Sequence, residues 1–202
     1  MRTVVVTGGM GSGKSAVCHL LQQRGIPVYN SDQRTKALYS EQPGLLEALE
    51  KALGMELRTP EGTLDRARLA ARIFADDKAR ETLEGMVYPL VKQDFLRWRE
   101  GFPKAPYVVL ESAVILSKPV FDDLIDVVVL VQAPLQVRLR RIMARDHLSE
   151  EQIRSRLEAQ PTPQRKPDLI LCNDGSPRAL SAKVSRVFLS KNAYICKLLK
   201  QI

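Results

Sequence analysis

Residues 3–15 read TVVVTGGMGSGKS. Their first part, within Arg2 to Thr7, is a β-branched run ended by glycines, which predicts a buried strand. Their second part, Gly8 to Ser15, fits G-x-x-x-x-G-K-[ST] without a gap. At average residue frequencies such a match arises by chance in roughly one chain of this length in a hundred. A strand before the motif and a helical pattern after it make chance a poorer account still. Glycines allow a phosphate to approach backbone that a Cβ would shield. Successive N–H groups and the start of the helix then form an anion cradle. Lys14 supplies a cation for the β- and γ-phosphates, and the Ser15 hydroxyl is suited to ligate Mg²⁺. The plainer alternative is a glycine-rich turn between strand and helix.

Working outward, Ser15 to Arg24 predicts a helix closed by Gly25, and Ile26 to Tyr29 a second strand, which completes a βαβ unit. From Ser31 to Glu100 the pattern is of amphipathic helices, interrupted by turn residues from Gly54 to Thr63, with Pro89 inside or ending one of them. Tyr107 to Leu110 and Asp126 to Val131 predict further strands. Pro134 to Arg145 predicts a basic helix, Leu169 to Cys172 a last strand, and Pro177 to Asn192 a closing helix with proline in its first turn. Five short strands alternating with helices predict a doubly wound α/β fold with a parallel five-stranded sheet. The expected division is a core of about 1–30, 107–137 and 166–202, an inserted helical lobe of about 31–106, and a helical lid of about 138–165.

The 202 residues carry a formal net charge of +8. That charge suits a protein that handles polyanionic phosphates, and equally a nucleic-acid binder or a generic basic surface. The longest apolar run, Val127 to Val131, is far too short to span a membrane. Met1-Arg2 leads into a short valine run and glycines rather than a signal-peptide pattern. Cys18, Cys172 and Cys196 are odd in number and widely spaced, as expected of free thiols in a reducing cytoplasm. His19 reads as a helix surface residue, and it and His147 are too far apart to suggest a metal site. Trp98 and the phenylalanines read as packing residues.

Asp32 follows the second strand as the glycine loop follows the first, so parallel pairing puts both at the carboxyl edge of the sheet. Asp32 can accept a proton from an attacking hydroxyl, or it can cap the helix that begins near Gln33. Glu111 and Ser112 end the third strand. Glu111 can hold a magnesium-bound water, cap the next segment or pair with a lysine. Arg138, Arg141 and Arg145 share a helix face, while Arg140 points elsewhere; the face can clamp a triphosphate or be a solvated basic stripe. The charged stretch from His147 to Gln160 suits a closing lid. Asn173-Asp174-Gly175 suits either contact with a nucleotide base or a simple turn.

Several of these elements together resemble the dephospho-CoA kinase family over nearly the whole chain. They are TGGMGSGKS (Thr7 to Ser15), GIPVYNSD (Gly25 to Asp32), VYPLV (Val87 to Val91), DVVVLVQAP (Asp126 to Pro134), RIMARD (Arg141 to Asp146), Gln160 and DLILCNDG (Asp168 to Gly175). The resemblance implies a P-loop NTPase-type fold, ATP and Mg²⁺ as cofactors, and phosphorylation of the ribose 3′-hydroxyl of dephospho-CoA in the final step of coenzyme A synthesis. It puts the base on Asp32 and the lid arginine on Arg145, and assigns the helical region to CoA binding, with Tyr88 at the substrate. Nucleotide contacts are expected from Gly9, Gly11, Ser12, Gly13, Lys14, Ser15, Ala16, Arg141, Asn173 and Gly175, with Lys14 also catalytic and Ser15 at the metal. Four features depart from the family pattern: Asn30 stands where an aspartate is usual, Tyr88 replaces a histidine, Ser117 replaces a glutamate, and the segment from Gln160 to Asp168 is short. The expected protein is a cytoplasmic monomer or weak homo-oligomer that engages neither nucleic acid nor membrane. A P-loop kinase for a nucleoside or sugar-acid acceptor is the nearest alternative. A GTP-dependent switch would carry N-K-x-D, which the chain lacks.

Overall fold

A computed structural model of the chain describes residues 1–146, 149–158, 165–190 and 193–201. The chain divides into two compact units, Met1–Asn30 with Arg99–Ile202, and Ser31–Trp98. The first unit holds the sheet. Strand β1 (Thr3–Thr7) is buried at every position, as its unbroken apolar pattern requires. Loop and helix α1 (Lys14–Gln22) follow it, then β2 (Val28–Asn30). Strands β3 (Val108–Glu111), β4 (Val127–Gln132) and β5 (Leu169–Cys172) complete a five-stranded sheet in the order β2-β3-β1-β4-β5. All four pairings are parallel. The order reverses beside β1, the switch point at which ligands bind in such sheets.

The sheet's register decides the chemistry below. Val6 of β1 and Asn30 of β2 both pair with Glu111, the last residue of β3. One apolar core joins Val4, Val6, Val109, Val129 and Val131 to Val17 and Leu21 of α1 and to Leu180, Val184 and Phe188. Helix α1 ends where Gly25 takes a left-handed φ of +78° and donates its N–H to the Gln22 carbonyl at 3.0 Å. Beyond the sheet lie α6 (Leu135–Asp146), α7 (Glu150–Glu158), α8 (Pro177–Val184) and α9 (Tyr194–Leu199). Ser176 caps α8, accepting the Ala179 N–H at 3.3 Å, with Pro177 at the first helical position. The closing helix is shorter than expected: a π-helical turn, Ser185–Leu189, takes over from α8. Its predicted end, Asn192, and the lid residues His147 and Gln160 lie outside the described residues.

The second unit is helical: α2 (Ser31–Glu41), α3 (Leu45–Leu53), α4 (Arg66–Ala75) and α5 (Asp77–Glu100), the last reaching into the first unit's span. Leu49, Leu57, Val87, Val91 and Phe95 are buried, and Trp98 stacks on Phe95 with ring centroids 6.0 Å apart. Pro89 lies inside α5. Arg34 ties α2 to α5, its Nε donating to Asp94 Oδ2 at 2.9 Å and its Nη2 to Oδ1 at 3.0 Å. One packing expectation fails here: Phe74 is 87% exposed. It stands five residues beyond Leu69, the buried residue of α4, and so about 140° round the helix from the apolar face. Among the described residues no helix is long and apolar enough to cross a membrane.

Candidate active site

The loop between β1 and α1 is shaped by backbone conformation first. Gly13, directly before α1, has φ +96°, and a Cβ there would collide with the Asn173 side-chain amide. Helix α1 therefore opens with free donors: the first main-chain bond of the turn runs from Val17 N–H to the Gly13 carbonyl at 3.1 Å. The N–H groups of Lys14, Ser15 and Ala16 precede that bond, as an anion cradle requires. Among the described residues Lys14 makes no ion pair, so its ammonium is available to a phosphate. The Ser12 hydroxyl is buried and has no partner among the described residues, and its N–H bonds the Gly9 carbonyl at 3.1 Å.

The carbonyl side of the loop is gripped from α6 and from the end of β5. Arg138 Nε donates to the Met10 carbonyl at 2.8 Å, and burial lowers the pKa of its guanidinium. Arg141 donates to the Gly11 and Ser12 carbonyls, both at 3.3 Å, and to the Asn173 carbonyl at 3.2 Å. Asn173, buried itself, donates its side-chain amide to the Ser12 carbonyl at 2.8 Å. These donors hold the carbonyls of Met10, Gly11 and Ser12. Arg145 stands apart: its Nε and Nη2 pair with the neighbouring Asp146 at 2.6 and 2.8 Å, and Arg140 is exposed. Gly175 belongs to the turn in which Asp174 pairs with Lys183 at 2.8 Å.

Glu111, at the end of β3, faces Ser15 and Asn30. Its carboxylate is 6% exposed and accepts the Ser15 hydroxyl at 2.8 Å on Oε1 and the Asn30 amide at 2.9 Å on Oε2. The capping role falls instead to Ser112, whose hydroxyl accepts the N–H groups of Val114 and Ile115 at 3.3 and 3.2 Å. Burial, and then the nearby Glu111 carboxylate, push the thiol of Cys18, one turn along α1, well above the usual range. A hydroxyl and a buried carboxylate 2.8 Å apart are hard oxygen donors, which fit Mg²⁺ when phosphates and water complete the shell. Among the described residues no group of three or more His, Cys, Asp or Glu could hold a metal by itself. Ser117, which replaces a glutamate of the family pattern, bonds the Val114 carbonyl at 2.7 Å.

In the helical unit, Asp32 sits inside the first turn of α2, since Ser31 already belongs to the helix. It is exposed, and no described residue hydrogen-bonds its carboxylate. Tyr88 on α5 is near enough to feel the charges of Glu84 and Asp32, and burial is the main cause raising its phenol pKa.

A parallel sheet with this loop at its switch point, a lysine without an ion pair among the described residues and a hydroxyl–carboxylate pair beside it define a P-loop nucleotide-binding protein. The family model for dephospho-CoA kinase matches residues 2–178. A dephospho-CoA kinase of Porphyromonas gingivalis is 42% identical over 160 residues, covering 79% of this chain and 78% of the relative. One from Anaeromyxobacter dehalogenans is 35% identical, covering 93% and 90%. The chain belongs to the dephospho-CoA kinase family. Among solved structures, TT1252 from Thermus thermophilus superposes with a TM-score of 0.76 at 29% identity, covering 100% of this chain and 97% of that one. The dephospho-CoA kinase from Campylobacter jejuni shares the fold, with a TM-score of 0.65 at 23% identity, covering 93% and 96%.

Proposed function

We propose that this protein transfers the γ-phosphoryl group of ATP to the ribose 3′-hydroxyl of dephospho-CoA, giving coenzyme A and ADP. The observation that carries the reading is the Ser15–Glu111 pair at 2.8 Å beside the unpaired Lys14, in a chain of this family. Lys14 and the N–H groups at the start of α1 hold the β- and γ-phosphates. Ser15 and Glu111 would hold Mg²⁺, which would supply charge neutralisation on those phosphates. Asp32 accepts the proton of the 3′-hydroxyl as that oxygen bonds to the γ-phosphorus; the bond from phosphorus to the β,γ-bridging oxygen breaks and ADP leaves. Tyr88 supports the acceptor beside Asp32. Asn173 and Arg141 act on the nucleotide by fixing the loop, and Gly175 keeps the following turn close to it. Arg145 reaches the nucleotide when the lid closes; its exposed pair with Asp146 is worth about 1 kcal/mol or less, so releasing it costs little. Three free cysteines suit a reducing cytoplasm, where the enzyme works as a monomer or weak homo-oligomer.

The test is ADP release with ATP and Mg²⁺, using dephospho-CoA beside adenosine, shikimate and gluconate. Turnover with dephospho-CoA is the expected result. Turnover only with another acceptor, or none with any, would overturn the reading.

A further inference from the structure

Strand β5 is an edge of the sheet, and its side chains alternate between two faces. Leu171 is buried in the core with Val129 and Val131, whereas Ile170 is 54% exposed and Cys172 is exposed at the strand's carboxyl end. Cys172 stands opposite Gln132 of β4, and beside this pair lies a cavity of about 430 Å³. Its walls include Cys172, Gln132, Pro134, Arg138 and two residues of the glycine loop, Gly9 and Ser12, all within the first unit. That volume suits a small molecule.

Ser12 is 2% exposed, and its hydroxyl lines this cavity without a partner among the described residues. A buried hydroxyl left unpaired is a cost that an acceptor atom seated in the cavity removes. Among the described lining residues Arg138 is the one cation, and the carboxylate, Asp174, is already paired with Lys183 at 2.8 Å. The charge balance therefore favours an anionic occupant. The same walls fix the glycine loop. Arg138 holds the Met10 carbonyl at 2.8 Å, and Asn173, the residue after Cys172, holds the Ser12 carbonyl at 2.8 Å. An anionic body joined to Cys172 lies against Gly9 and Ser12 and competes for Arg138.

We infer that Cys172 is a modification site for anionic low-molecular-weight disulfides seated in this cavity, and that the adduct weakens ATP binding. The Cys172 thiolate attacks one sulfur of the disulfide. A bond from Cys172 to that sulfur forms as the sulfur–sulfur bond of the reagent breaks, and the other half leaves as a thiolate, which takes a proton in place of the one Cys172 gave up. The reagent is itself the oxidant. Glutathione disulfide and coenzyme A disulfide share this chemistry, and the second derives from the product of the proposed reaction. The inference rests on the loop holding ATP and not on which acceptor the enzyme uses.

The experiment incubates native, reductant-free protein with glutathione disulfide, with coenzyme A disulfide and with the neutral hydroxyethyl disulfide, and follows adducts by intact mass and peptide mapping. The adduct should form on Cys172 at a rate that saturates with an anionic disulfide and rises linearly with the neutral one. A non-hydrolysable ATP analogue should slow the reaction. By linkage, the purified adduct should bind that analogue roughly tenfold more weakly in calorimetry, the scale of one lost hydrogen bond to a charged group, and dithiothreitol should restore the affinity. Cys172→Ser should bind the analogue like the wild type and be indifferent to the disulfides. No adduct on Cys172, linear rates with all three disulfides, or an adduct whose affinity for the analogue stays within about twofold of wild type would overturn the site and leave an exposed thiol only. An unmodified wild type that does not bind the analogue would overturn this inference and the functional reading together.

Discussion

The substitution Glu111→Gln keeps the shape of the side chain and removes its charge. In the wild type the carboxylate accepts the Ser15 hydroxyl at 2.8 Å and the Asn30 amide at 2.9 Å while 6% exposed. The glutamine side chain can still offer its oxygen to Asn30 and donate its amide to the Ser15 oxygen. Both contacts then survive as neutral bonds. The weaker bonding is offset by no longer burying a charge, so folding stability should change by only about 1 kcal/mol. Metal affinity behaves differently. Unit charges at about 4 Å attract by about 4 kcal/mol at an effective dielectric constant of 20. A divalent ion doubles that to about 8 kcal/mol, and desolvation takes back most of it. A net loss of about 3 kcal/mol remains, roughly a hundredfold in apparent Mg²⁺ affinity. The amide introduced by the substitution also occupies the Ser15 lone pair, which works in the same direction. The assay is turnover against free Mg²⁺ at fixed ATP, beside Mn²⁺ binding by electron spin resonance and thermal melting without metal. Expected are a Mg²⁺ half-saturation raised roughly a hundredfold and a metal-free Tm within about 4 °C of wild type. An unchanged half-saturation would remove Glu111 from the metal site. A large metal-free fall in Tm would make it a structural carboxylate instead.

Gly13→Ala forces a left-handed residue to carry a Cβ and drives that Cβ into the Asn173 amide, whose 2.8 Å bond to Ser12 must break. We expect a loss of about 2–3 kcal/mol in urea unfolding, with weaker ATP binding; wild-type stability would mean that the loop is not held as described. Cys172 is exposed, whereas Cys18 is buried and its thiol pKa is raised by burial and then by Glu111. A thiol reagent should therefore label Cys172 in the native protein and reach Cys18 only on unfolding, as peptide mapping would show, and rapid native labelling of Cys18 would contradict the packing around Glu111. Asp76 is held below its ordinary 3.8 by the Ala79 N–H, with Arg72 assisting. Its contribution to stability is present above that ordinary value and is lost as pH falls through the lower folded value. Asp76→Asn keeps the helix cap and should flatten this part of the acid-unfolding curve, with little change at neutral pH; an unaltered curve would show that Asp76 contributes nothing there.

The strands were legible because their signal is local. TVVVT is buried throughout and the valines of VVVLVQ are buried, and β5 falls where the sequence predicts it, at Leu169–Cys172. The glycine loop was legible for the same reason, since its chemistry lies within one short span. The role of Glu111 was not. It depends on Asn30 and Val6 both standing opposite Glu111, and strand register is a tertiary fact that no spacing in the sequence reports. Helical period correctly set Arg138 and Arg141 on one side of α6, but period gives no partner. Both arginines spend donors on loop carbonyls, and Arg145, a turn further on, pairs with its neighbour. The π-helical turn after α8 was equally hidden: its wide turn, closed by Ser190 N–H to the Ser185 carbonyl at 3.0 Å, leaves no mark on hydrophobic period.

The departure at position 30 gains a physical meaning from that register. The family pattern puts an aspartate where Asn30 stands, directly across from Glu111 on the neighbouring strand. A carboxylate there would face the Glu111 oxygen that the amide now meets at 2.9 Å. Two carboxylates that close repel one another unless a cation stands between them. The Asn30 amide donates instead of repelling. Its bond fixes Oε2 of Glu111, while Oε1 accepts the Ser15 hydroxyl. Losing one acidic group thus need not mean losing the metal. Under the proposed reading, a second negative charge would be exchanged for a single carboxylate whose two oxygens are already held by Asn30 and Ser15.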